Sequence, residues 1–213
     1  MDIASPRVAV FVRNLRGGGL ERVSMNLANE LSQRGIRVDM VLAEADGVFL
    51  KMLDQKIRVI NLNAPSLKSY TVKLSSYLRD EEPDALLAQG EECGVAAVLA
   101  RLISRVRTKV VVSCHSTISQ YVPRSRDFKV RFLPSLMRLT YPWASHVVAV
   151  SSGVADDLAH VISMPRARIH VISNASITAD FLGVPCERPV HEFFDSGKPV
   201  IVAVGSLAAS KDY

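Results

Sequence analysis

The chain has 213 residues, of which 48% are hydrophobic and 22% charged, with a net charge of +5 at neutral pH. This composition predicts a globular protein with a substantial core and excludes an intrinsically disordered chain. No apolar run reaches the roughly 18 residues that span a bilayer, and we expect no signal peptide at the start. The three cysteines, Cys93, Cys114 and Cys186, share no metal-ligand spacing, so we expect reduced thiols in a cytoplasmic protein.

The positive charge is concentrated in two clusters. The first consists of Arg101, Arg105, Arg107 and Lys109, and the second of Arg124, Arg126, Lys129, Arg131 and Arg138, opposed only by Asp127. An excess of positive charge of this kind suits the binding of nucleic acid, anionic lipid or a phosphorylated ligand. A solvated basic face is the alternative interpretation.

Short apolar runs rich in β-branched residues predict seven strands, at 8–12, 38–42, 57–62, 85–88, 110–112, 146–150 and 169–172. Segments with apolar residues three or four apart predict helices at 20–31, 67–78, 95–103, 128–141 and 154–161. Strands that alternate with helices indicate an α/β fold, a doubly wound, Rossmann-like parallel sheet. The strands are continuously apolar, which is typical of a sheet buried on both faces.

The pattern changes after residue 172. Prolines and charged residues punctuate the chain near Pro185 and Pro189, and a new apolar run begins at residue 199. We therefore predict an N-terminal domain over 1–184, a linker over 185–198, and the first strand and turn of a second domain over 199–213. Because a strand and a turn cannot bury a core of their own, we expect this chain to be a fragment.

The first predicted strand runs through a short loop into three glycines, 17–19, and a helix follows at once. This arrangement lets the backbone approach an anion at the N-terminus of the helix. A dinucleotide fingerprint needs a glycine where this chain has Arg22, which argues against an NAD-dependent oxidoreductase, and the Gly-Lys-Ser/Thr ending of a P-loop is absent. The sequence thus predicts an anion-binding loop of another type, with a tight turn that requires glycine as the alternative.

Residues just after the strands matter most, because the ligand crevice of a doubly wound sheet lies beyond their carboxyl ends. His115 lies there, either as a functional residue or as a hydrogen-bonded structural one. A nucleophile pair of Cys93 and His115 is a further alternative, since a helix start lowers a thiol pKa. Glu91 and Glu92 follow the fourth strand, where carboxylates also simply favour the start of a helix.

The segment 128–141 is basic and amphipathic. It could lie on an anionic membrane. Pro134 and the need to cover one face of the sheet favour a core helix instead.

Several segments, in this order and spacing, resemble the retaining GT-B glycosyltransferases of the family 4 type. They are the strand and glycine loop at 8–12 and 17–22, then 26–31, 34–38, His115, 148–151, 168–174, 202–207 and 211–213. The resemblance covers almost the whole chain. It implies two Rossmann-like domains that face a cleft, of which this chain is the N-terminal, acceptor-side half.

The resemblance also implies a reaction and a site. A hexose would pass from a nucleotide-diphosphate sugar to a glycan or lipid-linked acceptor with retention, without a metal or other cofactor. His115 would be the catalytic contact to the transferred sugar. The implied substrate contacts are Gly17, Gly18, Gly19, Glu21, Arg22, Glu91, Asn174 and Lys211. Ser206 departs from the family's usual arginine, and the second domain's paired glutamates are missing, so we expect the chain alone to be inactive.

On this basis we expect a cytoplasmic protein, peripheral at the inner face of the membrane, that assembles lipopolysaccharide or exopolysaccharide. We expect no nucleic-acid partner and make no prediction of the oligomeric state. The rival interpretation is a non-catalytic α/β module that binds an anion or a nucleotide at the glycine loop.

Overall fold

The computed structural model describes residues 5–124, 127–175, 190–195 and 197–203, except for the side chains of residues 121, 124 and 129. The chain divides into two compact units, 1–176 and 177–213. In the second unit the described residues form one short helix, Glu192–Asp195. Residues 199–203, predicted to form a strand, have no regular secondary structure. An isolated strand has no neighbour to satisfy its backbone hydrogen bonds, which explains the difference.

The first unit contains a seven-stranded sheet in which every neighbouring pair is parallel. The strands are β1 (Arg7–Val12), β2 (Arg37–Leu42), β3 (Arg58–Asn61), β4 (Ala85–Gln89), β5 (Lys109–Cys114), β6 (His146–Ala149) and β7 (Ile169–Val171). Their order in the sheet is β3-β2-β1-β4-β5-β6-β7. The predicted doubly wound, Rossmann-like fold is therefore confirmed, with the order reversing between β1 and β4.

Six α-helices connect these strands: α1 (Gly19–Gln33), α2 (Leu67–Glu81), α3 (Glu91–Ser104), α4 (Ile118–Arg124), α5 (Leu133–Thr140) and α6 (Ser152–Ile162). Short 3₁₀ helices occupy Val48–Met52, Phe128–Phe132, Tyr141–Trp143 and Arg166–Arg168.

The helix predicted over 128–141 is interrupted. Two 3₁₀ turns flank the shorter α5. Pro134 lies in the first turn of α5, where a missing backbone N–H costs nothing, and it cannot occupy the interior of a longer helix. The sequence pattern did not predict α4.

The core lies on both faces of the sheet, as the continuous apolar strands predicted. Along β1, Ala9 and Phe11 pack into a cluster with α2 and α3, and Val10 and Val12 pack into a second cluster with α1. Alternate side chains of one strand thus enter opposite cores, so no position of β1 beyond its start can be polar.

A charged network ties together the amino ends of the first three strands. The buried Asp39 on β2 accepts hydrogen bonds from Arg58 Nη2 at 2.7 Å and Tyr77 Oη at 2.6 Å. Glu81 at the end of α2 accepts from Arg7 Nη1 at 2.6 Å and Arg58 Nη1 at 2.9 Å. The network joins β1, β2, β3 and α2 at the end of the sheet opposite the carboxyl ends of the strands.

Candidate functional site

A cleft of about 680 Å³ opens at the carboxyl ends of β1 and β4. Its lining comes from the ends of these strands, the first turns of α1, α2 and α3, and the segment from Asp127 to Leu136. The strand order reverses here, and ligands of doubly wound sheets bind at such a point. The sheet topology therefore creates the cleft.

The three glycines form the loop between β1 and α1. Gly17 has a φ of +133°, which a residue with a side chain rarely adopts, and Gly18 is the N-cap of α1. The cap has no side chain to occupy the free N–H groups of the first turn. All three glycines are exposed, and the residues that follow them, Leu20 and Glu21, line the cleft.

The carboxylate of Glu21 folds back onto this loop. A methyl group placed on Gly18 would collide with Glu21 Oε2, so the two residues are in direct contact. A carboxylate beside the first turn of a helix is stabilised by the positive end of the helix dipole. Glu21 therefore occupies the place that an anionic ligand of α1 would take.

The loop after β2, which contains Asp46 and Gly47, packs against the residues just before the glycine loop. Leu15 donates its backbone N–H to the Asp46 carbonyl at 2.8 Å, and Arg16 Nε pairs with the Asp46 carboxylate at 2.7 Å. Gly47, with a φ of +128°, lies so close that a Cβ there would overlap the backbone of Leu15 and Arg16. The residues just before the three glycines are thus fixed by backbone contacts.

His115 lies just beyond β5 and is half-buried. Its Nε2 is 2.9 Å from Gln89 Oε1 and 3.1 Å from Ser113 Oγ. Because a carboxamide oxygen only accepts, Nε2 carries the hydrogen and Nδ1 is left as an acceptor. Burial lowers the pKa of His115 below its usual 6.5, so the ring is neutral at pH 7.

Glu91, the first residue of α3, is buried and connects three segments. Its Oε1 accepts the backbone N–H groups of His115 at 3.0 Å and Ser116 at 2.8 Å. Its carbonyl accepts from Tyr141 Oη at 3.0 Å. Glu91 thus positions the loop that carries His115 while also lining the cleft.

Arg13 and Glu92 form an ion pair in the cleft lining, and no sequence motif identified Arg13. Arg13 Nη1 lies 3.6 Å from Glu92 Oε2; the Arg13 side chain is exposed and that of Glu92 is partly exposed. Arg13 is the one cation among the described lining residues, against Glu21, Glu91, Glu92 and Asp127. Its place directly after β1, at the reversal of strand order, is the signal that could have identified it.

The two described cysteines are buried and unreactive. Burial raises the pKa of both Cys93 and Cys114 far above the usual value. The expectation that a helix start lowers the Cys93 pKa is therefore wrong, because desolvation of the thiolate is the larger effect. A buried, protonated thiol argues against a Cys93–His115 nucleophile pair.

Among the predicted site residues that the structure describes, only Glu21 and Glu91 belong to the cleft lining. The three glycines and His115 do not, although Leu20 and Gln89 next to them do. Arg22 on α1 and Asn174 after β7 are exposed. Lys211 and Ser206 fall outside the described residues. Within the described ranges, no group of three or more metal-ligating side chains comes together. None of the helices in those ranges is long and apolar enough to cross a membrane.

Comparison with known proteins gives one family match. The model of Glycosyltransferase Family 4 matches residues 17–178. No curated protein sequence matches the chain.

Solved structures share the fold. Anabaena HepE in complex with UDP-glucose is 22% identical, with a TM-score of 0.61, over 79% of this chain and 43% of that protein. The lipopolysaccharide outer core galactosyltransferase WaaB is 16% identical, with a TM-score of 0.59, over 78% of this chain and 45% of WaaB. Acinetobacter baumannii MurG is 16% identical, with a TM-score of 0.53, over 82% and 47%. The chain thus spans less than half of each of these proteins.

Proposed function

Since the chain belongs to Glycosyltransferase Family 4, we propose that it is the acceptor-side half of a retaining GT-B glycosyltransferase. The reaction would move a hexose from a nucleotide-diphosphate sugar to a glycan or lipid-linked acceptor. One observation carries the proposal: the first turn of α1 and the ends of β1 and β4 line one cleft at the reversal point of the sheet, and Gln89 and Glu91 in that lining hold His115 beside it. Structures of Anabaena HepE with UDP-glucose, and with UDP and glucose, support a nucleotide-sugar donor.

Each cleft group has a role suited to sugar transfer. The N–H groups at the start of α1 would stabilise the negative charge that develops on the departing diphosphate. His115 would accept a hydrogen bond from a hydroxyl of the transferred sugar through Nδ1, because Gln89 already holds Nε2. Glu21 would leave Gly18 when the anionic group arrives. No step needs a metal or other cofactor.

The test uses an intact protein that contains this chain. It is incubated with a panel of UDP-sugars and glycan or glycolipid acceptors, and the anomeric configuration of the product is read by NMR. We expect retention, and a rate loss of about tenfold for His115→Ala through the lost hydrogen bond. His160→Ala, on the exposed side of α6, is the control. Nucleotide binding without transfer would favour the non-catalytic binding module instead.

We further propose that the protein acts in the cytoplasm, peripherally at the inner face of the membrane, in lipopolysaccharide or exopolysaccharide assembly. The likeness in fold to WaaB, a lipopolysaccharide galactosyltransferase, supports this setting. The concentration of positive charge supports it too: residues 93–155 contain nine lysines and arginines and a single aspartate.

A further inference from the structure

The segment 128–143 carries large apolar side chains on its outer side. Its inner side is core, since Leu133, Met137 and Tyr141 are buried. Four others are exposed: Phe128 by 64%, Phe132 by 54%, Leu139 by 70% and Trp143 by 61%. A globular chain rarely leaves four such residues in water without a use for them.

Phe132, the N-cap of α5, and Leu139 are seven residues apart, which is the spacing of neighbours along one side of an α-helix. Phe128 and Trp143 lie in the 3₁₀ turns on either side of α5. The rings of Phe128 and Phe132 are in edge-to-face contact, with centroids 5.2 Å apart. We call these four residues the apolar stripe. It runs from Phe132 at the cleft rim to Trp143, ahead of β6.

Arginines flank the apolar stripe. Arg131 and Arg138 are exposed and seven residues apart on the same segment. At the far end, Arg101 Nη1 donates to the Trp143 carbonyl at 3.2 Å, and Arg168 Nη2 donates to the Pro142 carbonyl at 3.1 Å. Two guanidinium groups are therefore held against the backbone next to the exposed indole.

We propose that the apolar stripe and its arginines dock the protein on an anionic membrane surface, with the segment 128–143 lying in the interface. Exposed aromatic and leucine side chains beside arginines are the pattern of a helix that inserts its apolar face among lipid headgroups. Indole rings prefer the headgroup region of a bilayer, and each arginine adds attraction to anionic lipid. Charge complementarity thus selects a membrane over a neutral protein partner.

This inference deepens the proposed function, because it makes the acceptor a membrane-borne molecule. Phe132 lines the cleft and belongs to the apolar stripe. A docked protein would therefore present its cleft mouth at the lipid surface. An acceptor attached to lipid would enter without leaving the membrane.

The chain carries its own reporter for the test, because Trp143 is its single tryptophan. The 213-residue chain is mixed with phosphatidylcholine vesicles, with or without phosphatidylglycerol. We expect the Trp143 emission to shift to the blue and to be protected from iodide only with phosphatidylglycerol. High salt should reverse both changes by screening the arginines.

Variants locate the surface by vesicle sedimentation. Arg131→Gln with Arg138→Gln should weaken binding about twenty-fivefold, from about fivefold for each charge. Leu139→Ser should weaken it about tenfold through lost apolar burial. The matched controls are Arg34→Gln with Arg37→Gln, two exposed arginines elsewhere, and Val72→Ser, an exposed apolar residue on α2. Circular dichroism checks that each variant is folded.

Three results would overturn the proposal. The first is an unchanged Trp143 spectrum with anionic vesicles at low salt, and the second is an equal loss of vesicle binding in the control variants. The third is a blue shift that depends on protein concentration without vesicles, which would show that a second copy of the chain covers the apolar stripe. Vesicle binding needs no sugar donor, so its outcome is independent of whether transfer is observed. If the protein transfers sugar to a soluble acceptor but does not bind vesicles, the membrane-docking inference is wrong and the proposed function stands.

Discussion

His115 shows how one half-buried side chain can make stability depend on pH. Its ring is neutral because burial lowers its pKa, and Gln89 fixes the hydrogen on Nε2. As the pH falls below about 6.5, the unfolded chain takes up a proton before the folded chain does. The stability that neutral His115 contributes is therefore complete above this pH and is lost as the pH falls through the lowered pKa.

The lower pKa of His115 in the folded chain can be tested by replacing the residue. His115→Gln should lower stability at neutral pH by about 1 kcal/mol, since Gln89 and Ser113 lose a partner. It should also flatten the decline of the melting temperature between neutral and mildly acidic pH, because the titrating group is gone. Thermal unfolding over a pH series measures both effects, with His160→Gln as the control. An equally steep decline in the variant would show that other groups cause it.

Glu21 is the second residue whose role can be isolated. Glu21→Gln removes the negative charge beside Gly18, so pyrophosphate should bind the chain about two- to fivefold more tightly. Calorimetry at low salt measures the affinity. Glu30→Gln, further along the same helix and paired with Arg34, should leave it unchanged. Weaker binding to Glu21→Gln would mean that the carboxylate contacts the ligand itself, for example through a hydroxyl.

Among the loops, the contact of Gly47 with Leu15 and Arg16 sets the position of the glycine loop. Gly47→Ala introduces a Cβ against backbone atoms at a positive φ, so the variant should lose about 2 kcal/mol or more of stability. Pyrophosphate affinity should fall with it as the loop moves. Gly153→Ala, on α6, is the control: the nearest atom to its Cβ would be Ser151 Oγ at 4.0 Å. A Gly47→Ala protein with native stability and affinity would disprove this support.

The charged network at the amino ends of β1, β2 and β3 can be tested through Asp39. Asp39→Asn weakens the pairing of β2 with Arg58 on β3 and Tyr77 on α2. Breaking a buried ion pair costs about 3–5 kcal/mol, and the partial exposure of Arg58 lowers the expected loss to about 2–3 kcal/mol. Urea unfolding measures it. Pyrophosphate affinity should not change, because the network lies at the opposite end of the sheet; a loss of affinity would contradict this separation.

The sequence was sufficient for the elements but not for the contacts between them. Apolar runs located all seven strands, because the strands inside the sheet are largely buried on both faces and the more exposed edge strands, β3 and β7, are still rich in β-branched residues. The rule for doubly wound sheets placed His115 near the crevice. The bonds of Glu91 to His115 and Ser116 join residues 24 and 25 positions apart. Such distances depend on how α3 packs beside β5, which no local pattern encodes. The return of Glu21 to Gly18 is likewise a side-chain conformation and leaves no periodic signal.

At the scale of the whole molecule, the core of the first unit lies within residues 9–169. A chain shortened to residues 1–176 should therefore keep its far-ultraviolet circular dichroism, and its melting temperature should stay within about 2 °C. Differential scanning calorimetry on both lengths measures this. A large drop would show that residues 177–213 stabilise the first unit.

The order of the strands has a consequence for how ligand and fold depend on each other. β1 to β3 are neighbours in sequence, and so are β4 to β7; only β1 and β4 pair out of order. The sheet therefore consists of two continuous halves joined where β1 pairs with β4, and the cleft opens at the carboxyl ends of these two strands. A ligand that bridges the two halves binds only the joined sheet. Occupancy would thus hold the halves together by mass action, and the place of binding is also where the strand pairing with the greatest sequence separation occurs.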